Sequence, residues 1–139
     1  MTSLKLLILI LSIVLIPSCA GSRVAKSMID ANFTLTQLDI LHDDTGISVT
    51  DSAALDSIRD ILSRSKRIDG TLETLKFVEP KNLQLEHANR AQSRFYIVDL
   101  KRGYATILSK AEMPVYQIAD LEKFNRIVNE SGIAVSDAG

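Results

Sequence analysis

Residues 94–108 read RFYIVDLKRGYATIL and contain the clearest strand pattern in the chain. Aromatic and β-branched side chains, the types enriched in strands, make up more than half of residues 94–100 and 104–108. Lys101-Arg102-Gly103 lies between the two segments, and its glycine suits a tight turn. This stretch predicts a β-hairpin around which further strands can pair.

Five other segments carry the alternation or the β-branched residues of strands: residues 33–41, 47–49, 72–78, 82–87 and 115–118. Within 33–41 the apolar positions change parity between Leu35 and Leu38, which predicts a β-bulge or burial on both faces. Asp43-Asp44-Thr45-Gly46 predicts a turn before 47–49, because Gly46 permits a positive φ.

The first of two predicted helices begins at Thr50 or Asp51, either of which can cap it, and is stopped by Asp69-Gly70. Its apolar residues have helical spacing and form one stripe: Ala54, Leu55, Ile58, Ile61 and Leu62. Arg64, Lys66 and Arg67 would lie in the last turn, where cations oppose the negative end of the helix dipole. Contact of this basic cluster with anionic lipid headgroups is the alternative interpretation.

The second predicted helix covers residues 120–130, with Gly132 as a left-handed C-cap. Its buried stripe is Leu121, Phe124, Ile127 and Val128. The order β-β-α-β-β-β-β-β-α predicts one α+β domain in residues 32–132, a mostly antiparallel sheet covered by two helices. Residues 133–139 are predicted to be a flexible tail.

The N-terminal segment has the pattern of an export signal. Residues 6–16 read LLILILSIVLI and stop at Pro17, whereas a membrane span needs roughly 20 apolar residues. This length fits the hydrophobic region of a signal peptide, about 7–15 residues. Ile16-Pro17-Ser18-Cys19 follows, and it resembles the lipobox of bacterial lipoproteins, an aliphatic residue and two small residues before a cysteine.

The lipobox resemblance implies that residues 1–18 are a lipoprotein signal peptide and that Cys19 becomes acylated, for example with palmitate. Residues 19–31 would then be the lipidated cysteine and a tether, with a short helix over Val24, Met28 and Ile29 as the alternative. Ala20 after the cysteine favours the outer membrane, facing the periplasm, if the host is Gram-negative. A chance cysteine in an ordinary cleaved signal, or an uncleaved anchor, is the competing explanation.

A weaker resemblance covers residues 33–130. The segments TDSAALDSIRDIL (50–62), RFYIVDL (94–100) and VYQIADLEKFNRIV (115–128) are similar to small bacterial lipoproteins of uncharacterised function. In these a helix opens after an aspartate, and a C-terminal helix follows the last strand. The resemblance implies no catalytic residue.

Candidate chemical groups are few. His42-Asp43-Asp44 contains metal-ligating residue types, but neighbouring strand residues alternate sides, so a solvated turn is the favoured interpretation. Glu86-His87 has the same poor geometry for an acid/base pair. Ser48, Ser52 and Ser57 lack a GxSxG frame, and Ser52 is better explained by helix capping.

Charge and cysteine content exclude several classes of protein. The chain has 16 basic and 17 acidic residues, a balance that gives no long-range attraction to nucleic acid. With one cysteine it can form no internal disulfide and no CxxC site. GxGxxG and GxxxxGK[ST] motifs are also missing, so we expect no catalytic, metal or cofactor site.

Two further sets of side chains have both a structural and a functional interpretation. Tyr96, Tyr104 and Tyr116 are expected in the core, with an exposed aromatic binding face as the alternative. The cations that flank the hairpin are expected to protect strand edges: Arg90, Arg94, Lys101 and Arg102.

The sequence therefore predicts a membrane-anchored bacterial lipoprotein with a non-enzymatic binding or accessory role in the cell envelope. Its expected partners are the membrane, through acyl chains on Cys19, and an envelope protein. The alternative function is an interference or immunity lipoprotein that blocks a receptor or toxin. An enzyme is the least favoured hypothesis.

Overall fold

The computed structural model describes residues 26–70, 72–107 and 113–136. Its strands are β1 (Leu35–His42), β2 (Thr45–Val49), β3 (Lys66–Ile68), β4 (Lys81–His87), β5 (Arg94–Asp99), β6 (Tyr104–Ile107), β7 (Val115–Gln117) and β8 (Ile133–Ser136). They form one antiparallel sheet in the order β3-β7-β6-β5-β4-β1-β2-β8. The predicted signal peptide, Cys19 and tether residues 19–25 lie outside the described residues.

Two longer helices cover one face of the sheet: α1 (Ser52–Ser63) and α3 (Leu121–Ser131), with the single turn α2 (Leu72–Leu75) between them in sequence. The two longer helices pack against each other, α1 on β1 and α3 on β2. Their apolar stripes join the inner face of the sheet in one core. This confirms the predicted α+β class, an antiparallel sheet covered by two helices. In the described part of the chain, no helix has both the length and the apolar character needed to cross a membrane.

The β5–β6 hairpin is present where the sequence predicts it, and Asp99 builds its turn. Asp99 Oδ1 accepts hydrogen bonds from the backbone N–H groups of Lys101 (2.9 Å) and Arg102 (3.0 Å). Gly103 adopts a φ of 80°, and its N–H donates to the carbonyl oxygen of Asp99 (2.8 Å). A side chain that mimics backbone acceptors thus holds the turn closed.

The predicted irregularity in β1 is confirmed, and the turn after β1 differs from its prediction. The register between β1 and β4 shifts between Leu35 and Gln37, which returns the later apolar residues to the core side. In the turn, the positive φ (52°) belongs to Asp43, while Gly46 lies inside β2. Asp43 can adopt this conformation because a short polar side chain tolerates it.

Helix α1 begins as predicted but ends earlier. Asp51 is the N-cap and accepts a hydrogen bond from the N–H of Ala54 (2.9 Å), so Ser52 is the first helical residue and not a cap. The helix ends at Ser63, well before Asp69-Gly70. The placement of Lys66 and Arg67 in its last turn is therefore wrong, because both belong to β3, which pairs with β7.

Buried Ser65 explains the change of direction between α1 and β3. Its hydroxyl donates to the carbonyl oxygen of Ile61 (2.8 Å) and accepts from the N–H of Ala119 (3.0 Å). The first bond gives a partner to a carbonyl oxygen in the last turn of the helix. The second fixes the helix end to the segment after β7. β3 is thereby held at the edge of the sheet.

The predicted strand over residues 72–78 is wrong. Residues 72–75 form the turn α2, and the chain then passes through Lys76 and Glu79, both with a positive φ. The N–H of Val78 donates to Asp99 Oδ2 (2.9 Å), and Phe77 packs on Tyr104 with ring centroids 6.0 Å apart. Contacts to the β5–β6 hairpin, and not strand pairing, decide the conformation of this segment.

The predicted tether boundary at residue 31 is also displaced, because Met28 and Ile29 are fully buried in the core. Ser27 forms a β-bridge with Lys66, and the N–H of Met28 donates to the carbonyl oxygen of Ser65 (3.0 Å). The carbonyl oxygen of Met28 accepts from the Tyr96 hydroxyl (2.6 Å). Residues 26–31 are therefore part of the domain, and they do not form the alternative helix.

The predicted tail also belongs in part to the sheet. Ile133–Ser136 form β8, which pairs with β2, so the flexible-tail prediction is wrong for these four residues. Gly132, expected as a left-handed C-cap, has extended backbone angles (φ −74°, ψ 141°) that turn the chain from α3 directly into β8. Residues 137–139 lie outside the described part.

Candidate functional site

The face of the sheet opposite α1 and α3 is the candidate functional surface. Register aligns two rows of side chains across β5, β4, β1, β2 and β8. The first row is Phe95, Gln84, Asp39, Ser48 and Ile133, and the second is Ile97, Asn82, Leu41, Gly46 and Val135. We call these ten residues the open face. Period-two alternation explains its composition, because the residues before and after these along each strand point to the opposite face, into the core.

The centre of the open face is polar and internally hydrogen-bonded. Gln37, next to the first row, donates from Nε2 to both carboxylate oxygens of Asp39 (3.0 and 3.1 Å) and to Ser48 Oγ (3.2 Å). Ser48 has no histidine beside it, since His42 lies at the β1–β2 turn and His87 packs on Phe33. This cluster can accept and donate hydrogen bonds, but it lacks the base that would activate the serine.

The two ends of the first row are apolar and exposed. Phe95 is 52% exposed and Ile133 is 63% exposed, and Val135 beside Ile133 is 44% exposed. Four strand spacings separate Phe95 from Ile133, which is about 19 Å at ~4.8 Å per strand. An exposed phenylalanine is a residue type enriched at protein contacts.

The two edges of the sheet are treated differently. At the β3 edge, residues 26–28 cover the strand, and the N–H of Arg67 donates to the carbonyl oxygen of Lys26 (2.8 Å). At the β8 edge no described residue pairs with the outer side of the strand, and the sequence IAVS contains no charge. An uncharged edge strand with exposed aliphatic side chains can accept a further strand.

The histidine-containing candidates do not converge on a site. His42 Nε2 lies 3.5 Å from Asp43 Oδ2 in an exposed turn, and no metal-binding group of three or more such residues occurs in the ranges described. Glu86 instead forms an ion pair with Arg90 (3.5 Å). His87 Nδ1 accepts a hydrogen bond from the N–H of Asn89 (2.8 Å). The His87 ring packs edge-on against the Phe33 ring, with the two ring centroids 4.6 Å apart. His87 therefore has a structural role.

The tyrosines do not form one stripe across the sheet. Tyr96 and Tyr116 are buried in the core, and burial raises the pKa of Tyr96 to about 12 and raises that of Tyr116. Tyr104 lies on the other face, half-buried against Phe77. The exposed aromatic residue is Phe95, which the sequence interpretation had not singled out.

The cations near the hairpin hold segments together and do not protect an edge, because β5 is an internal strand. Arg94 Nη1 donates to the carbonyl oxygen of Met28 (2.7 Å), and its guanidinium carbon lies 5.5 Å from the centre of the Phe33 ring. Arg102 Nη1 donates to the carbonyl oxygens of Leu75 (2.9 Å) and Lys76 (3.1 Å). Lys101 pairs with Glu79 (3.2 Å).

A cleft of about 430 Å³ lies where residues 30–33 pass Arg94 and His87. Asp30, Gln92 and Ser93 also line it. A second cleft of about 390 Å³ shares Asp30 and Arg94 and reaches Lys26 and Ser63. In these clefts Arg94 donates to the carbonyl oxygen of Met28 and His87 accepts from the N–H of Asn89, so both side chains already bind the backbone.

Part of this polar cluster can be recognised from the alternation of residues in the sequence. Gln37, Asp39 and Ser48 occupy the polar parity of β1 and β2, whereas Ile133 and Val135 lie in a segment too short for a periodic signal. Comparison of the chain with protein-family models, curated proteins and solved structures finds no match.

Proposed function

We propose that this chain is a membrane-anchored lipoprotein of the bacterial cell envelope that acts by binding an envelope protein and not by catalysis. The observation that carries the proposal is Cys19, the single cysteine, which follows Pro17-Ser18 and an apolar run too short to span a bilayer. Cys19 is its acylation site, and the acyl chains hold the domain at the membrane. In a host with an outer membrane, the protein belongs to that membrane and faces the periplasm.

The short segment between Cys19 and the described domain supports this arrangement. Six residues, 20–25, separate Cys19 from Lys26, where the described domain begins. An extended chain spans at most ~3.3–3.6 Å per residue, so Lys26 stays within about 25 Å of the acylated sulfur. The domain thus works close to the bilayer surface.

The binding surface of the proposal is the open face together with the β8 edge. Its occupant is an extended segment of an envelope protein, which adds a strand to β8 and covers Ile133 and Val135. Main-chain hydrogen bonds to β8 would supply affinity, and the Gln37–Asp39–Ser48 cluster would meet polar groups of the partner where the partner continues across the open face. An interference or immunity role uses the same surface, and the identity of the partner separates the two roles.

Mass spectrometry of the N-terminus tests the anchor. Protein from bacterial membranes is expected to begin at Cys19 and to carry the mass of two or three acyl chains. A Cys19→Ala variant is expected to lose the acyl mass and to escape cleavage at this position. Wild-type protein that begins at another residue, or that carries no fatty acid, contradicts the anchor.

Photo-crosslinking in cells tests the binding surface. A photoreactive residue at Val135 is expected to crosslink to one segment of one partner, whereas the same group at exposed Asp56 on α1 should not. Ile133→Lys, combined with the same probe at position 135, should lose the crosslink because a buried charge would enter the contact. Equal adducts from positions 135 and 56, or an adduct at position 135 that Ile133→Lys does not affect, contradict this surface.

A further inference from the structure

Positive charge is concentrated where residues 26–31 join the domain. Lys66 Nζ donates to Ser27 Oγ (3.3 Å), Arg59 Nη1 to the carbonyl oxygen of Ala31 (3.2 Å), and Arg94 Nη1 to the carbonyl oxygen of Met28 (2.7 Å). The N–H of Arg67 binds the carbonyl oxygen of Lys26. We call Lys26, Arg59, Lys66, Arg67 and Arg94 the basic end.

The charge of this region differs from that of the rest of the chain. Residues 26–31, 59–69 and 94 contain six cations and three carboxylates, whereas the remainder contains ten cations and fourteen carboxylates. One of the three carboxylates, Asp60, is already paired with Arg64 (3.2 Å). A chain with a net charge of −1 therefore has a separate basic region.

The position of this region in the chain points to the bilayer surface. The basic end surrounds the residues that follow the proposed acylation site, and six residues limit the distance of Lys26 from the sulfur to about 25 Å. By contrast, the Asp43-Asp44 turn lies at the other end of β1, a strand of eight residues and about 26 Å at ~3.3 Å per residue. That turn carries two exposed carboxylates.

We propose that the basic end docks on anionic lipid headgroups beside the anchor, and so orients the domain with the Asp43-Asp44 turn away from the bilayer. This inference rests on the proposed acylation of Cys19. Lysine and arginine near an anionic surface are attracted within a Debye length, about 8–10 Å at moderate salt. The anchor brings the domain within reach, and the charges choose which end faces the lipid.

Energy transfer to labelled lipid tests the orientation. The natively acylated full chain is reconstituted into vesicles of phosphatidylcholine, or of phosphatidylcholine and phosphatidylglycerol in equal amounts, with a headgroup-labelled acceptor. A single fluorophore is placed on a cysteine introduced at Asn32 or at Asp44, both exposed. In the anionic vesicles, transfer from position 32 should exceed transfer from position 44 by about twofold or more, and high salt should remove the difference.

Charge-reversal variants supply the matched control. Lys26→Glu/Lys66→Glu should abolish the difference between the two label positions, and Lys26→Gln/Lys66→Gln should reduce it. Lys101→Glu/Arg126→Glu, two exposed cations elsewhere, should leave it unchanged. Equal transfer from positions 32 and 44 in anionic vesicles, or a difference that survives reversal of Lys26 and Lys66, overturns the proposal.

Flotation separates this proposal from the anchor itself. Acylated protein should float with neutral vesicles whether or not its basic end is intact. Failure to float with neutral vesicles would count against the anchor, whereas normal flotation without a preferred orientation would count against the basic end alone.

Discussion

At the scale of single residues, Asp99 connects two segments of the described domain through hydrogen bonds to the backbone. It is fully buried and joins the β5–β6 turn to the loop before β4 through three backbone N–H groups, with Arg102 4.0 Å away. Burial acts to raise its pKa, but the N–H groups of Val78, Arg102 and Lys101 and the Arg102 charge outweigh it and lower the pKa. The folded state therefore prefers the ionised carboxylate.

This preference makes stability depend on pH. A carboxyl group whose pKa is lower in the folded state adds stability above its unfolded pKa, about 3.9, and loses that contribution as the pH falls through the folded pKa. We expect Asp99→Asn to lower the free energy of unfolding by about 2 kcal/mol at pH 7 and to flatten its dependence on pH below about pH 5.

Urea unfolding of the chain without residues 1–19, followed by circular dichroism from neutral to acid pH, measures both effects. Asp44→Asn, at an exposed carboxylate, matches the change in charge. An Asp99→Asn variant as stable as wild type at pH 7 would show that the three N–H groups do not need the carboxylate.

At the scale of secondary-structure elements, the junction between α3 and β8 leaves no room for a larger side chain at Gly132. A Cβ atom on Gly132 would overlap Ile47 Cγ2 and the carbonyl oxygen of Val128. The small residue is needed for close approach to β2 and not for a left-handed conformation, since its φ is −74°. This contact places β8 on the sheet.

Gly132→Ala is therefore expected to destabilise the domain by about 1–3 kcal/mol, because backbone and β2 must move apart. Ser131→Ala, one residue earlier, is the control. Hydrogen exchange should show faster exchange of β2 and β8 amides in Gly132→Ala. Unchanged exchange in these strands would argue that β8 does not depend on this contact.

At the scale of the whole molecule, residues 26–31 close the core and connect it to the proposed anchor. Met28 is fully buried, and its backbone bonds to Ser65 on one side and to Arg94 and Tyr96 on the other. The segment that follows the proposed attachment point is thus also a structural element of the domain.

Met28→Ala is expected to lower the free energy of unfolding by about 2–4 kcal/mol through loss of buried area and the cavity that remains. Lys26→Ala, at an exposed position of the same segment, should change it by less than about 0.5 kcal/mol. Chemical denaturation of the two variants compares them directly. Similar, small losses in both would mean that the segment is a tether after all.

Local patterns predicted much of this architecture. The β5–β6 hairpin, the bulge in β1, the Asp51 cap and both helical stripes depend on neighbours within a few residues, so periodicity and turn chemistry reveal them. The α+β class followed from these elements. The polar parity of Gln37, Asp39 and Ser48 was likewise visible, although their shared surface was not.

Pairing between distant segments determined the rest. β3 and β8 have three and four residues, too few for a periodic signal, and each becomes a strand because a partner far along the chain offers free backbone groups. Residues 72–78 have the sequence pattern of a strand, but contacts of Val78 with Asp99 and of Phe77 with Tyr104 determine their conformation instead. By itself the sequence specified the local elements and the lone cysteine. Long-range hydrogen bonding and burial then determined the sheet edges, the place of Met28 and the extent of the open face.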